Sequence, residues 1–494
     1  MSCRKLEKRK FSILTFGCRC NQAESDAIRQ SLCRRSMVEI ENRLDADLAI
    51  INTCTVTQRS DRQVRQAIRR LHRENPSARI IVTGCYAERD PAALADMPGV
   101  SLVVGNVVKE RLAEILENAE EHRNGKIVRS PLVSRPGSSL PISSALDAAG
   151  GAGPPLNITD IPLSARLAGA ADGLPIYTMS FPNGTLDADR DYLLPPTGNA
   201  GGKTRPLVKI QDGCDAHCSY CIVPHVRGPG RSARLEDVLA EIQSLADRGF
   251  QEIVLTGVHL GAFGLKLKEH PRLIGLLRRI VELPRIGRIR LSSIEPMHFD
   301  RAIVDIVAEH PVFAHHFHIP LQSGSDRVLR LMRRPYTAAR FRELLAYIQD
   351  KLPDAGIGAD VLIGFPGETD GDFAETCALI RESPLTYLHV FPFSPREETA
   401  AFSMPDRIAS QVMKHRLNAV LEISRAKNIA FRRRFTGQVL PGITISREEN
   451  LGTSLVLTGN YIHARISGLS VPPNRFVNIR VEEVRSEATY ASIL

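Results

Sequence analysis

Cys214, Cys218 and Cys221 stand within eight residues of one another in QDGCDAHCSYCIVP, spaced C-x3-C-x2-C, directly after the strand-like run LVKI. Thiolates this close on one loop can hold one corner of an iron–sulfur cube, because thiolate is the preferred protein ligand of such clusters. Three thiolates on a four-iron cluster leave one iron without a protein ligand. An open metal position is where a substrate or cofactor can coordinate, as in catalytic zinc sites. Zinc held by the same cysteines with His217 or His225 is the competing reading, although joint ligation by the neighbours His217 and Cys218 is cramped. Unligated thiols are the third reading.

A second set is spread more widely. Cys18 lies in TFGCRCN, Cys54 in NTCTVT and Cys85 in TGCYAE, each just past a segment that reads as a parallel strand. Parallel strands bring their C-terminal ends to one edge of a sheet, so these residues can converge in space. The alternative is three small buried hydrophobes. Cys20 reads as a bystander or an alternative ligand. Cys3, Cys33 and Cys377 have no partner in sequence.

The elements that must position these residues alternate strand and helix, which implies parallel sheets covered by helices. Strands are expected at 10–17, 47–52, 79–83 and 100–104, with helices at 59–73 and 107–119. A second series has strands at 207–210, 252–256, 288–292, 316–320, 358–363 and 387–391, separated by helical patterns. Six βα units are too few for a closed eight-fold barrel and fit an open, partial (β/α)6 barrel. A long basic helix over 409–435 follows. Short β-like pieces at 437–445, 454–458 and 476–484 imply a small C-terminal β-barrel. The expected division is therefore 1–133, an insertion at 134–204, 205–434 and 435–494. The insertion has 10 Gly and 9 Pro in 71 residues and reads as a flexible linker with a more apolar middle.

The chain has 494 residues, 43 % hydrophobic and 24 % charged, which excludes a wholly disordered or collagen-like protein. No apolar run is long enough to span a membrane, and a cytoplasmic protein is expected. Ten cysteines are too sparse for a disulfide scaffold in a chain of this length. The net charge of +9 points toward a polyanionic partner. Arg59, Arg62, Arg65, Arg69, Arg70 and Arg73 load the helix after Cys54. Arg227, Arg231 and Arg234 follow the three-cysteine loop, and Arg432, Arg433 and Arg434 lead into the tail. Such residues suit RNA phosphates; a solvated helix face is the plainer alternative for any one of them.

The C-x3-C-x2-C loop after a first barrel strand resembles the radical S-adenosylmethionine (SAM) superfamily. That resemblance implies a [4Fe–4S] cluster on Cys214, Cys218 and Cys221, whose open iron binds SAM. It places Thr256 and Gly257, Glu295 in SSIEP, Gln322 in IPLQSGSD and Gly364 in DVLIGFPGET at the SAM site. Arg231 is a further possible SAM contact. The Cys18, Cys54 and Cys85 triad resembles the methylthiotransferase family within that superfamily, over residues 10–130 and 205–435. NTCTVTQRSDRQVRQ and LTGVHLGAFG are most similar to the branch acting on threonylcarbamoyladenosine in tRNA.

The resemblance implies a second [4Fe–4S] cluster on the triad, SAM as a cofactor, and no catalytic side chain beyond the cluster ligands. It also implies a TRAM-like RNA-binding tail, the tRNA anticodon loop as substrate, and partners that donate sulfur and electrons. In the family that this chain resembles, one SAM methylates sulfur at the second cluster, and another supplies the radical that activates C2 of adenine at position 37. A C2–H bond offers no acid–base handle at neutral pH, so a radical route suits it. Sister branches act on isopentenyladenosine in tRNA or on an aspartate of a ribosomal protein. A zinc-dependent RNA-binding protein without catalysis is the reading from a different class.

Overall fold

The computed structural model describes residues 9–106, 108–121, 167–169, 175–177, 204–266, 272–448, 452–467 and 471–494. Two compact units divide the chain. One comprises Met1–Arg190 with His225–Arg227, the other Asp191–Pro224 with Gly228–Leu494.

In the first unit, apolar runs form β1 (Lys10–Thr15), β3 (Leu48–Thr53), β4 (Arg79–Gly84) and β5 (Val100–Val104), with a short β2 (Val38–Glu39). Two further strands, β6 (Leu167–Gly169) and β7 (Pro175–Tyr177), lie within the expected insertion. The sheet order is β2-β1-β3-β4-β5-β7-β6, and all pairings except β6–β7 are parallel. Alternate residues face opposite sides of a strand. Ile51, Val82 and Val103 therefore pack with Val64, Ile68 and Leu71 of α2 (Gln58–Glu74). Phe11, Ile50, Ile81 and Leu102 pack on the other side with Ile28 and Leu32 of α1 (Arg19–Arg34). Six residues of the insertion thus extend this sheet beyond β5, which corrects the reading of the segment as flexible linker at these positions: its more apolar middle pairs with a sheet edge. Apart from Thr204, the rest of 134–204 lies outside the described residues.

The second unit opens with β8 (Leu207–Asp212), β9 (Arg231–Ser232), β10 (Glu252–Gly257) and β11 (Arg288–Leu291), then β12 (His316–His318), β13 (Gly356–Ile363) and β14 (Tyr387–Pro392). Sheet orders β11-β10-β8-β9 and β12-β13-β14 are joined by parallel bridges Ile289–Phe313 and Ser293–His318. Six parallel strands, β8 and β10 to β14, therefore follow one another in chain order, and the two end strands do not pair. One face of this sheet is apolar: Ile253, Leu255, Leu291, Phe317 and Val361 pack with Ile242, Leu277, Val304 and Phe341 from covering helices. The other face carries Glu252, Thr256, Arg290, His316, His318, Asp360 and His389. A parallel sheet normally buries apolar residues on both faces, so this polar lining marks the functional side.

Helix Ser410–Arg433 leads into β15 (Val439–Glu448), β16 (Thr453–Thr458), β17 (His463–Ser467), β18 (Phe476–Val484) and β19 (Thr489–Ile493). These close into a barrel of order β15-β16-β17-β19-β18 around Val456, Ala464, Ile466 and Ile479. Among the described residues, no helix is long and apolar enough to cross a membrane.

Candidate metal centres

In the first unit, the cysteines of the wider set follow β1, β3 and β4. Gly17 adopts φ +102°, and a Cβ there would lie 2.6 Å from Cys54 Cβ. Only glycine lets the Cys18 turn press so closely on Cys54. Gly84 ends β4 at φ +99°, where a Cβ would meet the Thr53 carbonyl oxygen at 2.5 Å, and Cys85 opens the next helix, Cys85–Arg89. Thr53 Oγ1 accepts from the backbone N–H groups of Tyr86 (3.2 Å) and Ala87 (3.3 Å), fixing that helix start against β3.

Side chains that the motifs did not single out complete this site. Asn21 donates to the Phe16 and Thr53 carbonyls, each at 2.8 Å, and its Oδ1 lies 3.6 Å from Cys18 Sγ. Asn106, just past β5, donates to Cys85 Sγ at 3.2 Å. The Cys20 hydrogen bond and the Arg227 cation hold the Cys18 thiol down at about 5. Burial, then the nearby Cys85 and Cys18, push the Cys54 thiol up to about 12. The three cysteines therefore share one electrostatic environment.

Arg227 is buried and donates to Glu24 at 2.7 Å, and Lys109 pairs with the same carboxylate. This corrects its assignment to RNA phosphates: the guanidinium neutralises Glu24 beside the Cys18 turn. Arg432 is likewise buried, donating to Thr489 Oγ1 and to the Ser486 carbonyl, both at 3.1 Å. Exposed arginines remain on α2 at Arg59, Arg62, Arg69, Arg70 and Arg73.

In the second unit, Cys214, Cys218 and Cys221 follow β8. Gly213 (φ +70°) makes the turn, and a Cβ there would sit 1.9 Å from the Pro229 carbonyl oxygen. Arg334 Nη1 donates to Cys218 Sγ at 3.3 Å, and Arg334 also pairs with Glu295. Cys214 Sγ lies 3.6 Å from His259 Nδ1, and His259 Nε2 lies 2.8 Å from His298 Nδ1. Burial raises the Cys214 thiol to about 12, raises Cys221 further, and lowers His259 to about 4. His259 lies two residues beyond Gly257 in the quoted LTGVHLG run, the one signal that could have found it. Arg334 lies 116 residues from Cys218 and gives no such signal.

The expected SAM residues occupy C-terminal strand ends. Thr256 is buried, and Gly257 leaves room for Gln211, whose Oε1 accepts from the His259 N–H at 2.6 Å. Glu295 joins the cysteine loop through Arg334. Gln322 follows β12 with φ +64°, left-handed for a non-glycine residue. Gly364 (φ +78°) follows β13, and its N–H donates to Glu368 at 3.0 Å. Its neighbours Met413 and Glu368 are not part of the cysteine loop. Arg231 pairs with Asp212 at 3.3 Å.

Among the described residues, one group of three His, Cys, Asp or Glu ligand atoms lies within 4.8 Å, and it contains no cysteine. In both triads an N–H group aims at a cysteine sulfur, from Asn106 at Cys85 and from Arg334 at Cys218, the support that thiolates of an iron–sulfur cluster use.

Comparison with known proteins agrees. Residues 10–105 match the family described as Uncharacterized protein family UPF0004, and residues 208–380 match the Radical SAM superfamily. A threonylcarbamoyladenosine tRNA methylthiotransferase MtaB of Aquifex aeolicus is 32% identical, over 93% of this chain and 97% of the relative. Its Bacillus subtilis namesake is 31% identical over 94% and 92%. A tRNA-2-methylthio-N(6)-dimethylallyladenosine synthase of Chromobacterium violaceum is 31% identical over 87% and 86%. Among solved structures, the radical S-adenosylmethionine methyltransferase TsrM of Kitasatospora setae shares the fold. Its TM-score is 0.54 at 17% identity, covering 80% of this chain and 77% of that one.

Proposed function

Because the chain belongs to the radical SAM methylthiotransferase family, we propose that it adds a methylthio group to C2 of N6-threonylcarbamoyladenosine at position 37 of tRNA. The observation that carries this reading is the near-complete coverage, in both directions, of relatives named for that reaction. The cysteine sets at the strand ends of both units support it.

Cys214, Cys218 and Cys221 hold one [4Fe–4S] cluster, and Cys18, Cys54 and Cys85 hold the second. When bound, the first supplies the electron that cleaves SAM to a radical, and the second supplies the sulfur. Arg334 donates to Cys218 and offsets thiolate charge. Thr256, Gly257, Glu295, Gln322 and Gly364 form the SAM site, where the glycines admit close backbone approach. Asn21, Asn106 and the Cys20 thiol tune the second site by hydrogen bonds. The functional divisions are 1–133, 205–434 and 435–494, the last a TRAM-like module that grips RNA. The exposed arginines of α2 contact phosphates of the anticodon loop. A sulfur donor and an electron donor complete the cytoplasmic system.

Mass spectrometry of tRNA nucleosides from cells with and without the gene tests this. The expected result is selective loss of 2-methylthio-threonylcarbamoyladenosine, with the unthiolated precursor accumulating. Loss of the dimethylallyl (isopentenyl) counterpart would move the activity to the sister branch. No change in either nucleoside overturns the tRNA reading.

A further inference from the structure

The polar face of the second unit's sheet carries a ligand set apart from both cysteine triads. His318, Asp360 and His389 project from the adjacent strands β12, β13 and β14. Asp360 is paired in register with His389, and His318 with Gly358, two residues earlier on the same face of β13. His318 Nε2 lies 3.2 Å from Asp360 Oδ1, and His389 Nδ1 lies 3.3 Å from the same oxygen. All three ligand atoms fall within 4.8 Å of one another. Two ligands each about 2.1 Å from one ion in a tetrahedron lie about 3.4 Å apart. The observed separations match that spacing.

The second observation concerns His318 itself. It is 94% buried, being 6% exposed, and its Nδ1 is occupied by Ser293 Oγ at 2.7 Å. Its Nε2 lies 3.2 Å from Asp360 Oδ1 but makes no hydrogen bond of good geometry there. A bound cation would select the tautomer in which Nδ1 carries the proton and donates to Ser293, turning the Nε2 lone pair toward the ion. A histidine oriented through its far nitrogen is the usual support of a metal-binding imidazole. His389 is half-exposed, so the set is closed at His318 and open at His389.

We propose that His318, Asp360 and His389 bind one divalent transition-metal ion of the zinc or ferrous-iron class. Two imidazoles and one carboxylate suit those ions better than calcium or magnesium. Three protein ligands leave at least one coordination position for water or another oxygen donor, on the side of His389. The site lies beside Glu295 and Gln322, but zinc binding to it can be read without the reaction proposed above.

Zinc alone is the probe. The iron-loaded enzyme is dialysed at fixed, chelator-buffered free zinc, and zinc and iron are counted by mass spectrometry. Wild type is expected to retain about one zinc per chain. His389→Ala, at the half-exposed position, and Asp360→Asn are expected to bind at least ten-fold more weakly with iron unchanged. Ser293→Ala, which leaves all three ligands in place, is expected to weaken zinc about ten-fold. Equal zinc in wild type and in both ligand variants, whether none or one, overturns the proposal. That result would leave a hydrogen-bonded His–Asp–His relay.

Discussion

Arg334 Nη1 lies 3.3 Å from Cys218 Sγ while the same guanidinium pairs with Glu295. One buried cation therefore links a thiol of the three-cysteine loop to a carboxylate after β11. Removing it leaves Glu295, whose carboxyl burial already raises, without its partner, and breaking a buried pair costs about 3–5 kcal/mol. Arg334→Met should lower the melting temperature and reduce iron bound by the loop. The double variant Arg334→Met with Glu295→Gln should recover much of the stability but not the iron retention. Equal iron in all three proteins would contradict a role for the guanidinium at the thiolate.

Iron counting separates the two triads. Changing Cys214, Cys218 and Cys221 together to alanine should remove about four irons, as should changing Cys18, Cys54 and Cys85 together. Changing all six should leave a colourless protein. Cys20→Ala should keep its iron, because Cys20 is the hydrogen-bond partner of Cys18 rather than a member of the triad. Loss of iron in Cys20→Ala alone would make it a ligand.

Arginines of similar sequence context should behave differently on RNA. Arg59→Ala and Arg69→Ala, both exposed on α2, should weaken tRNA binding and each reduce the salt slope by about one unit. Arg227→Met should leave the slope unchanged and destabilise the protein by about 1–3 kcal/mol, because buried Glu24 loses its hydrogen bonds from Arg227 and keeps Lys109 as its one cation. Filter binding over a salt series, beside thermal unfolding, distinguishes the two classes.

Asp372 gives a pH-dependent prediction. Burial alone would raise its carboxyl; hydrogen bonds from Arg327, Thr369 and Ser325 instead hold it well below the usual carboxylate range. It also closes the capping box of helix Asp370–Glu382 with Thr369. A depressed carboxyl stabilises fully above its unfolded pKa of about 3.9, and that contribution is lost as pH falls below it. Asp372→Asn should therefore lower stability by about 1–3 kcal/mol at pH 7. The gap from wild type should be the same at pH 6 and narrow below pH 4. A gap that widens on acidification would refute the assignment.

These contrasts show what one sequence carries. The six cysteines are legible because their spacing, or their place after each strand, is a local property. The six-stranded alternation is legible for the same reason. Strands β17 and β19 are not: HARIS and TYASI are short and half polar, and pairing within a closed barrel makes them strands. Arg227 and Arg432 look like RNA contacts in the sequence because charge can be counted there and burial cannot. Asn106 and Arg334 reach their cysteines only through tertiary structure.

Arg290 is fully buried in β11, is paired with Glu252, and donates to the carbonyls of Thr458 (3.0 Å) and Gly459 (3.1 Å) between β16 and β17. The terminal barrel thus acts as a stopper for the sheet as well as a module of its own. A chain cut before residue 435 would lose both of these bonds and open the buried Arg290–Glu252 pair to water. A drop in tRNA binding on truncation would then mix lost surface with a loosened sheet. The two modules are best expressed and engineered as a single piece.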